Sequence, residues 1–140
     1  MKDYNSVLQF LTYKVNKIEF RTNDNFKEGK KGIPIKLSII PIVNVEKENM
    51  NITLKTEIFK DAEENNFPFE MIVELTGYFK CEGDAPDKFV RNAVAILYPY
   101  VRSIVSTYTS NANISPLILP TINVNTLIEE QKKKDIEPKS

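Results

Sequence analysis

From Tyr13 to Phe79 the apolar residues recur mostly at every second position, the spacing of strands that bury one face. In "YKVNKIEFR" Tyr13 and Val15 share one phase while Ile18 and Phe20 share the other, and a bulge between them would reconcile the two. The polar "TNDNFKEGKKG" that follows is too long for a tight hairpin, so strand one is expected to reach strand two by a crossover loop. Strand two is "IPIKLSIIPIVNV", alternating through Ile33, Ile35, Leu37 and Ile39 before the phase slips at Ile40-Pro41. Pro41 has no N–H to give a ladder and belongs at an edge or a bulge. "MNITLKTEIFK" places Ile52, Leu54 and Ile58 on one face. "FPFEMIVELTGYF" does the same for Phe67, Phe69, Met71, Val73, Leu75 and Phe79. The short polar connection Asp61 to Asn66 between them suits an antiparallel hairpin.

At "GDAPDKF" the period changes. Asp84 or Ala85 caps a helix, Pro86 falls in its first turn, and Asp87 faces its positive end. Phe89, Ala93, Ile96, Tyr100, Ile104 and Tyr108 then recur at helical spacing, with a second stripe of Val90, Val94, Leu97, Val101 and Val105. A helix apolar on two sides must be covered on two sides, and one sheet covers only one of them; the simplest second cover is the same helix of another subunit. Pro99 removes the bond to the Ala95 carbonyl and predicts a kink. "SNANISPLILP" ends the helix and runs extended, and "NVNTLIEEQKKK" starts another, capped by Asn125 or Asn123, with Thr126 and Glu129 spaced as a capping box. The fold class expected is α+β: a four-stranded antiparallel sheet, a long helix packed on it and a shorter C-terminal helix. Residues 1–131 form a single domain and 132–140 a disordered tail.

Composition narrows the chemistry. The 140 residues are 41% hydrophobic and 27% charged, as in an ordinary globular domain, and 19 basic residues balance 19 acidic ones. Bulk charge therefore favours neither nucleic acid nor an anionic membrane as partner. No run reaches the length of a membrane span, and "MKDYNSVLQFL" has no apolar core of a secretory signal. The lone Cys81 excludes an internal disulfide and fits a reducing cytoplasm, the expected localisation. Without histidine, and with one cysteine, the chain lacks the commonest general base and the commonest metal ligands. Its glycines form no phosphate-cradling motif, and Glu63-Glu64 lies in a solvated polar turn. An enzyme is not expected.

One stretch stands apart. Ala95 to Ile128 holds a single formal charge, Arg102, yet carries three prolines and many Ser, Thr and Asn. Within it, Leu97-Tyr98-Pro99-Tyr100-Val101-Arg102 is followed by Leu117-Ile118-Leu119-Pro120-Thr121-Ile122-Asn123-Val124. Together with the order of four strands then two helices, and the ending Gly77 to Phe79, this resembles the SecB family of protein-export chaperones. That resemblance implies subunits assembled as a dimer of dimers (a homotetramer) through helices and edge strands. It also implies no nucleotide or metal cofactor, and unfolded polypeptides or preproteins held in long apolar grooves.

Carried over by position, the client-binding candidates are Phe26 from the crossover loop and Ile35, Leu37 and Ile39 from strand two. Leu117, Leu119, Ile122 and Val124 come from the connection, with Leu127 and Ile128 from the last helix. Each has burial in the core as its alternative. Val94, Leu97, Tyr98, Tyr100, Val101 and Ile104 are assigned to subunit contact. Family members that deliver cargo to the motor ATPase SecA display acidic residues on the outer sheet surface. Here Lys17, Arg21 and Ile72 stand where such acids are expected, and Glu70 where the family is apolar, so SecA is not expected as a partner. SecB-like chaperones also serve as dedicated protectors of antitoxins, which is the alternative function. A carboxylate-based hydrolase or a purely structural oligomer are further readings.

Overall fold

A computed structural model of the chain describes residues 7–29, 32–82, 86–112 and 114–136. Four strands, β1 (Val7–Thr22), β2 (Leu37–Glu46), β3 (Asn49–Ile58) and β4 (Phe69–Glu82), form one antiparallel sheet in the order β1-β4-β3-β2. One helical turn, α1 (Ala62–Asn65), interrupts the β3–β4 connection; the long helix α2 (Pro86–Asn111) and α3 (Val124–Ile136) complete the chain. The expected α+β arrangement is present. The backbone of α3 stays helical into the segment expected as a tail. The predicted caps Asp84 and Ala85 lie outside the described residues.

The alternation in sequence becomes two faces. Met50, Ile52, Leu54 and Ile58 of β3 and Phe69, Met71, Val73, Leu75 and Phe79 of β4 are buried beneath α2. β1 and β2 are the two edges, so the loop between them crosses the width of the sheet, as expected. Asn23 pins that loop to the β3–β4 connection: its side-chain amide donates to the Ala62 and Phe67 carbonyls, at 3.2 and 3.0 Å, and its backbone N–H donates to Pro68 O. Asn66 adds a reciprocal pair with the backbone of Lys27.

The phase change in β1 is a bulge. Register shifts fall between Phe10 and Thr12 and between Val15 and Lys17. The second leaves Asn16 unpaired in the ladder and brings Tyr13, Val15, Ile18 and Phe20 onto one face, opposite Gly77, Leu75, Val73 and Met71. The Asn16 side chain is satisfied on the other face, where Thr76 Oγ1 donates to its Oδ1 at 2.7 Å and Thr53 bonds Thr76 in turn.

In β2 the structure corrects the sequence reading. No slip occurs at Ile40-Pro41: pairing with β3 is unbroken from Leu37↔Ile58 to Glu46↔Asn49. Pro41 sits on an edge strand, opposite Leu54 of β3, the setting in which a sheet accepts proline. The apparent slip arises because the helix-side face continues through Val43 and Val45, opposite Ile52 and Met50, while Ile42 on the outer face is also apolar. All three are exposed.

Helix α2 lies over β3 and β4 and meets β1 only along its flank. Phe89, Ala93, Val94, Leu97, Val101 and Val105 are buried, and the helix runs on through Pro99, which is exposed. At its end Thr109 is fully buried; its hydroxyl donates back to Val105 O at 2.8 Å and accepts the Leu117 N–H at 2.8 Å.

Candidate functional site

The charge-poor stretch resolves into a strap. After α2 the chain turns and returns along the same helix in extended form, unable to join a ladder at Pro116 or Pro120. Arg102 Nε donates to Leu119 O at 3.1 Å and Tyr98 OH to Pro120 O at 2.6 Å. Asn123 then caps α3, its Oδ1 accepting the Thr126 N–H at 3.1 Å. Of the two predicted caps, the structure thus selects Asn123, so Thr126 is the third helical residue rather than the cap of a box with Glu129. Arg91 bonds the side chain of Asn125 and ties the first turn of α3 to α2.

Alternate residues of the strap face opposite ways. Leu119 is 1% exposed, whereas Ile118 is 70% exposed. Leu117, Ile122, Val124 and Leu127 are half-buried against the core, as are Ile35 and Leu37 at the start of β2. These six expected client-binding residues keep apolar surface open on a common support. Ile39, Leu119 and Ile128 do not: each is buried within the core cluster of this subunit, which is the alternative the sequence left open for them. Phe26 is half-buried in the crossover loop and stands apart from that cluster. Leu37 also lines a groove of 440 Å³ with Lys36, Ile40, Glu57, Lys60 and Phe67. The sequence reading passed over Ile118, although its place between two inward-pointing leucines in an extended run was the available signal.

A second apolar surface lies at the opposite flank. Because α2 is centred on β3 and β4, the helix-side residues Tyr13, Val15 and Ile18 of β1 remain about two-fifths exposed. Tyr13 stacks on Tyr100, with ring centroids 4.4 Å apart, and Phe20 meets Tyr108 at 5.4 Å. Between them an open groove of 640 Å³ is lined by Ile18, Phe20, Ile104, Thr107 and Tyr108, among others. Among the six residues assigned to subunit contact, Tyr100 and Ile104 reach this flank. Val94, Leu97, Tyr98 and Val101 are instead buried within the subunit, since the sheet on one side and the strap on the other already cover them. Those four assignments are corrected.

The outer sheet face is a charge mosaic. Ile72 lies between Glu19 and Glu57 on neighbouring strands and between Glu70 and Glu74 on its own. Basic residues compensate these acids: Lys17 meets Glu19 at 3.3 Å, Lys55 and Lys60 meet Glu57 at 3.6 and 3.8 Å, and Arg21 meets Glu70 at 4.0 Å.

The titrations add little chemistry. Burial pushes the Tyr98 phenol up, against a smaller opposing pull from the Arg102 guanidinium, so it stays a hydrogen-bond donor. Burial likewise raises the Cys81 thiol and leaves it a poor nucleophile. Among the described residues no three carboxylates or cysteines are grouped to hold a metal ion, and no helix is long and apolar enough to cross a membrane.

Comparison with known proteins bears on this arrangement. The sequence profile of the family described as preprotein translocase subunit SecB matches residues 22–135. An uncharacterized protein of Methanocaldococcus jannaschii is 36% identical, over 93% of this chain and 90% of that relative. Among solved structures, a SecB-like chaperone of Mycobacterium tuberculosis, in complex with a ChAD peptide from the HigA1 antitoxin, superposes with a TM-score of 0.64. It is 15% identical and the match covers 83% of this chain and 88% of that one. A protein of unknown function from Streptococcus agalactiae gives 0.57 at 16% identity, over 83% and 98% of the two chains. These two likenesses speak to the fold alone.

Proposed function

The chain belongs to the SecB family, and from that premise we propose that it is an ATP-independent holdase, residues 1–131 acting as one domain that binds unfolded polypeptides in apolar grooves. The observation that carries the reading is the strap from Ile114 to Asn123, which keeps Leu117, Ile118 and Ile122 open to solvent where the family's clients are held. An unfolded client offers apolar side chains, each worth roughly 1.5–3 kcal/mol on full burial. Ordering the client opposes that gain, so a single short contact is weak.

Assembly supplies the remainder through effective concentration. β1 is a sixteen-residue strand with one unpaired edge and a half-covered apolar flank. Such an edge invites a second copy unless something blunts it. In this reading Tyr100 and Ile104, with Tyr13, Val15, Ile18 and Tyr108, lie at a contact between copies, and the homotetramer is a dimer of dimers. The holdase works in the cytoplasm without catalysis or cofactor. SecA is left out as a partner: with Lys17, Arg21 and Ile72 on the outer face, its carboxylates are locally neutralised.

A second reading has an observation in its favour. The fold is shared with a chaperone solved with an antitoxin peptide, and a charge-compensated outer face fits a chaperone freed from delivering cargo to SecA. This chain would then protect one dedicated antitoxin-like segment. Competition among a panel of unrelated unfolded proteins separates the two. Mutual displacement at similar concentrations supports the general holdase; failure of every unrelated chain to bind would remove it.

A further inference from the structure

Arg102 is the sole charge between Ala95 and Ile128, and its guanidinium is committed to a backbone carbonyl of the strap. Tyr98 stands one helical turn earlier on the same face of α2 and donates to the next carbonyl along. The strap needs such donors. Pro116 and Pro120 keep it out of any sheet, so carbonyls brought against α2 lose water and gain no ladder partner. With Thr109 accepting the Leu117 N–H, both ends of Leu117–Pro120 are fixed. Within that span Leu119 points into the core and Ile118 out to solvent.

We infer that Tyr98 and Arg102 are positioning residues for client binding: by clasping the carbonyls of Pro120 and Leu119 they hold the strap as a preformed apolar strip. This rests on the holdase reading and names what keeps its site ready. A strip already ordered spares the entropy of fixing its backbone when a client docks. An unclasped strap would offer the same residues in many arrangements and bind more weakly. The pair touches the strap and not the client, so its effect is indirect.

The test uses the full chain, with fluorescein-labelled, reduced and carboxamidomethylated α-lactalbumin as the probe. Arg102→Met keeps the aliphatic stem, Arg102→Lys restores a donor, and Tyr98→Phe removes only the hydroxyl. Client affinity by anisotropy, amide exchange by mass spectrometry and molar mass are read together. Arg102→Met is expected to weaken the client about ten-fold and Tyr98→Phe about five-fold, the loss of one hydrogen bond apiece. Exchange should quicken within residues 114–122 and stay parental in the sheet, with molar mass unchanged, and Arg102→Lys should recover part of both losses. Faster exchange with parental affinity would overturn the positioning role while leaving the holdase reading intact. Unchanged exchange would show that the clasp holds nothing. If the parent itself ignores the probe, the holdase reading fails and the role falls with it, although the exchange data still judge the clasp. If Arg102→Met does not fold, Tyr98→Phe decides alone.

Discussion

Leu97 of α2 rests directly on Gly77 of β4: a Cβ built on Gly77 would lie 2.5 Å from one Leu97 methyl and 2.7 Å from the other. The helix can sit this low because the strand presents bare backbone beneath it. Gly77→Ala would also press on the Phe79 ring at 2.9 Å, so neither neighbour can yield freely. Overpacking of this kind costs about 1–3 kcal/mol, which a lowered urea midpoint at unchanged slope would register.

Thr56 offers the opposite case. It is fully buried on the helix-side face, between Ile39 and Val73 on the neighbouring strands, and its hydroxyl has no hydrogen-bond partner. Thr56→Val keeps the shape and removes the stranded polar atom. The variant is expected to be more stable by about 1 kcal/mol, read as a higher melting temperature.

Neighbouring residues of the strap should separate stability from function. Leu119→Ala opens a cavity in the core and is expected to cost about 2–5 kcal/mol. Ile118→Asp alters an exposed position and should change stability by less than about 0.5 kcal/mol. It should nevertheless weaken client capture, because it places a charge on the strip. Denaturation curves and client titrations of the two variants check both halves.

Alkaline pH should loosen the strap. Tyr98 titrates above its ordinary value of 10.0 in the folded chain, so its contribution is fully present below that value and is lost as pH rises through the raised one. Deprotonation also removes the proton donated to Pro120 O. The parent is therefore expected to lose stability above about pH 10 more steeply than Tyr98→Phe. Taking the difference between the two cancels the same-signed effect of Cys81. Denaturant midpoints across that window supply the measurement.

Much of the fold was legible because strands and helices write different periods into the chain. The changed phase around Asn16 located a bulge, Pro41 pointed to an edge or a bulge and lies on an edge, and Asn123 was one of two caps considered. The two apolar stripes of α2 were read correctly as more surface than one sheet covers. Leu97 of the second stripe rests on the sheet at Gly77, while the chain's own strap, held at Tyr98, Arg102 and Thr109, takes a further side of the helix, and hydrophobic spacing cannot tell an internal partner from an external one. The groove beside Tyr108 was missed for a related reason: periodicity says which face of β1 is apolar, not how far α2 reaches across it. Ile39, Leu119 and Ile128 carried both readings, groove and core, because an apolar side chain looks alike in sequence whether it is buried or exposed.

Light scattering of a chemically unfolded protein diluted from denaturant, with this chain added and no nucleotide present, tests the central claim most directly, provided molar mass is recorded in the same samples. The account predicts suppressed aggregation at near-equimolar tetramer and a soluble complex heavier than the chaperone alone. Aggregation at the uninhibited rate in the presence of an intact, folded oligomer would contradict it.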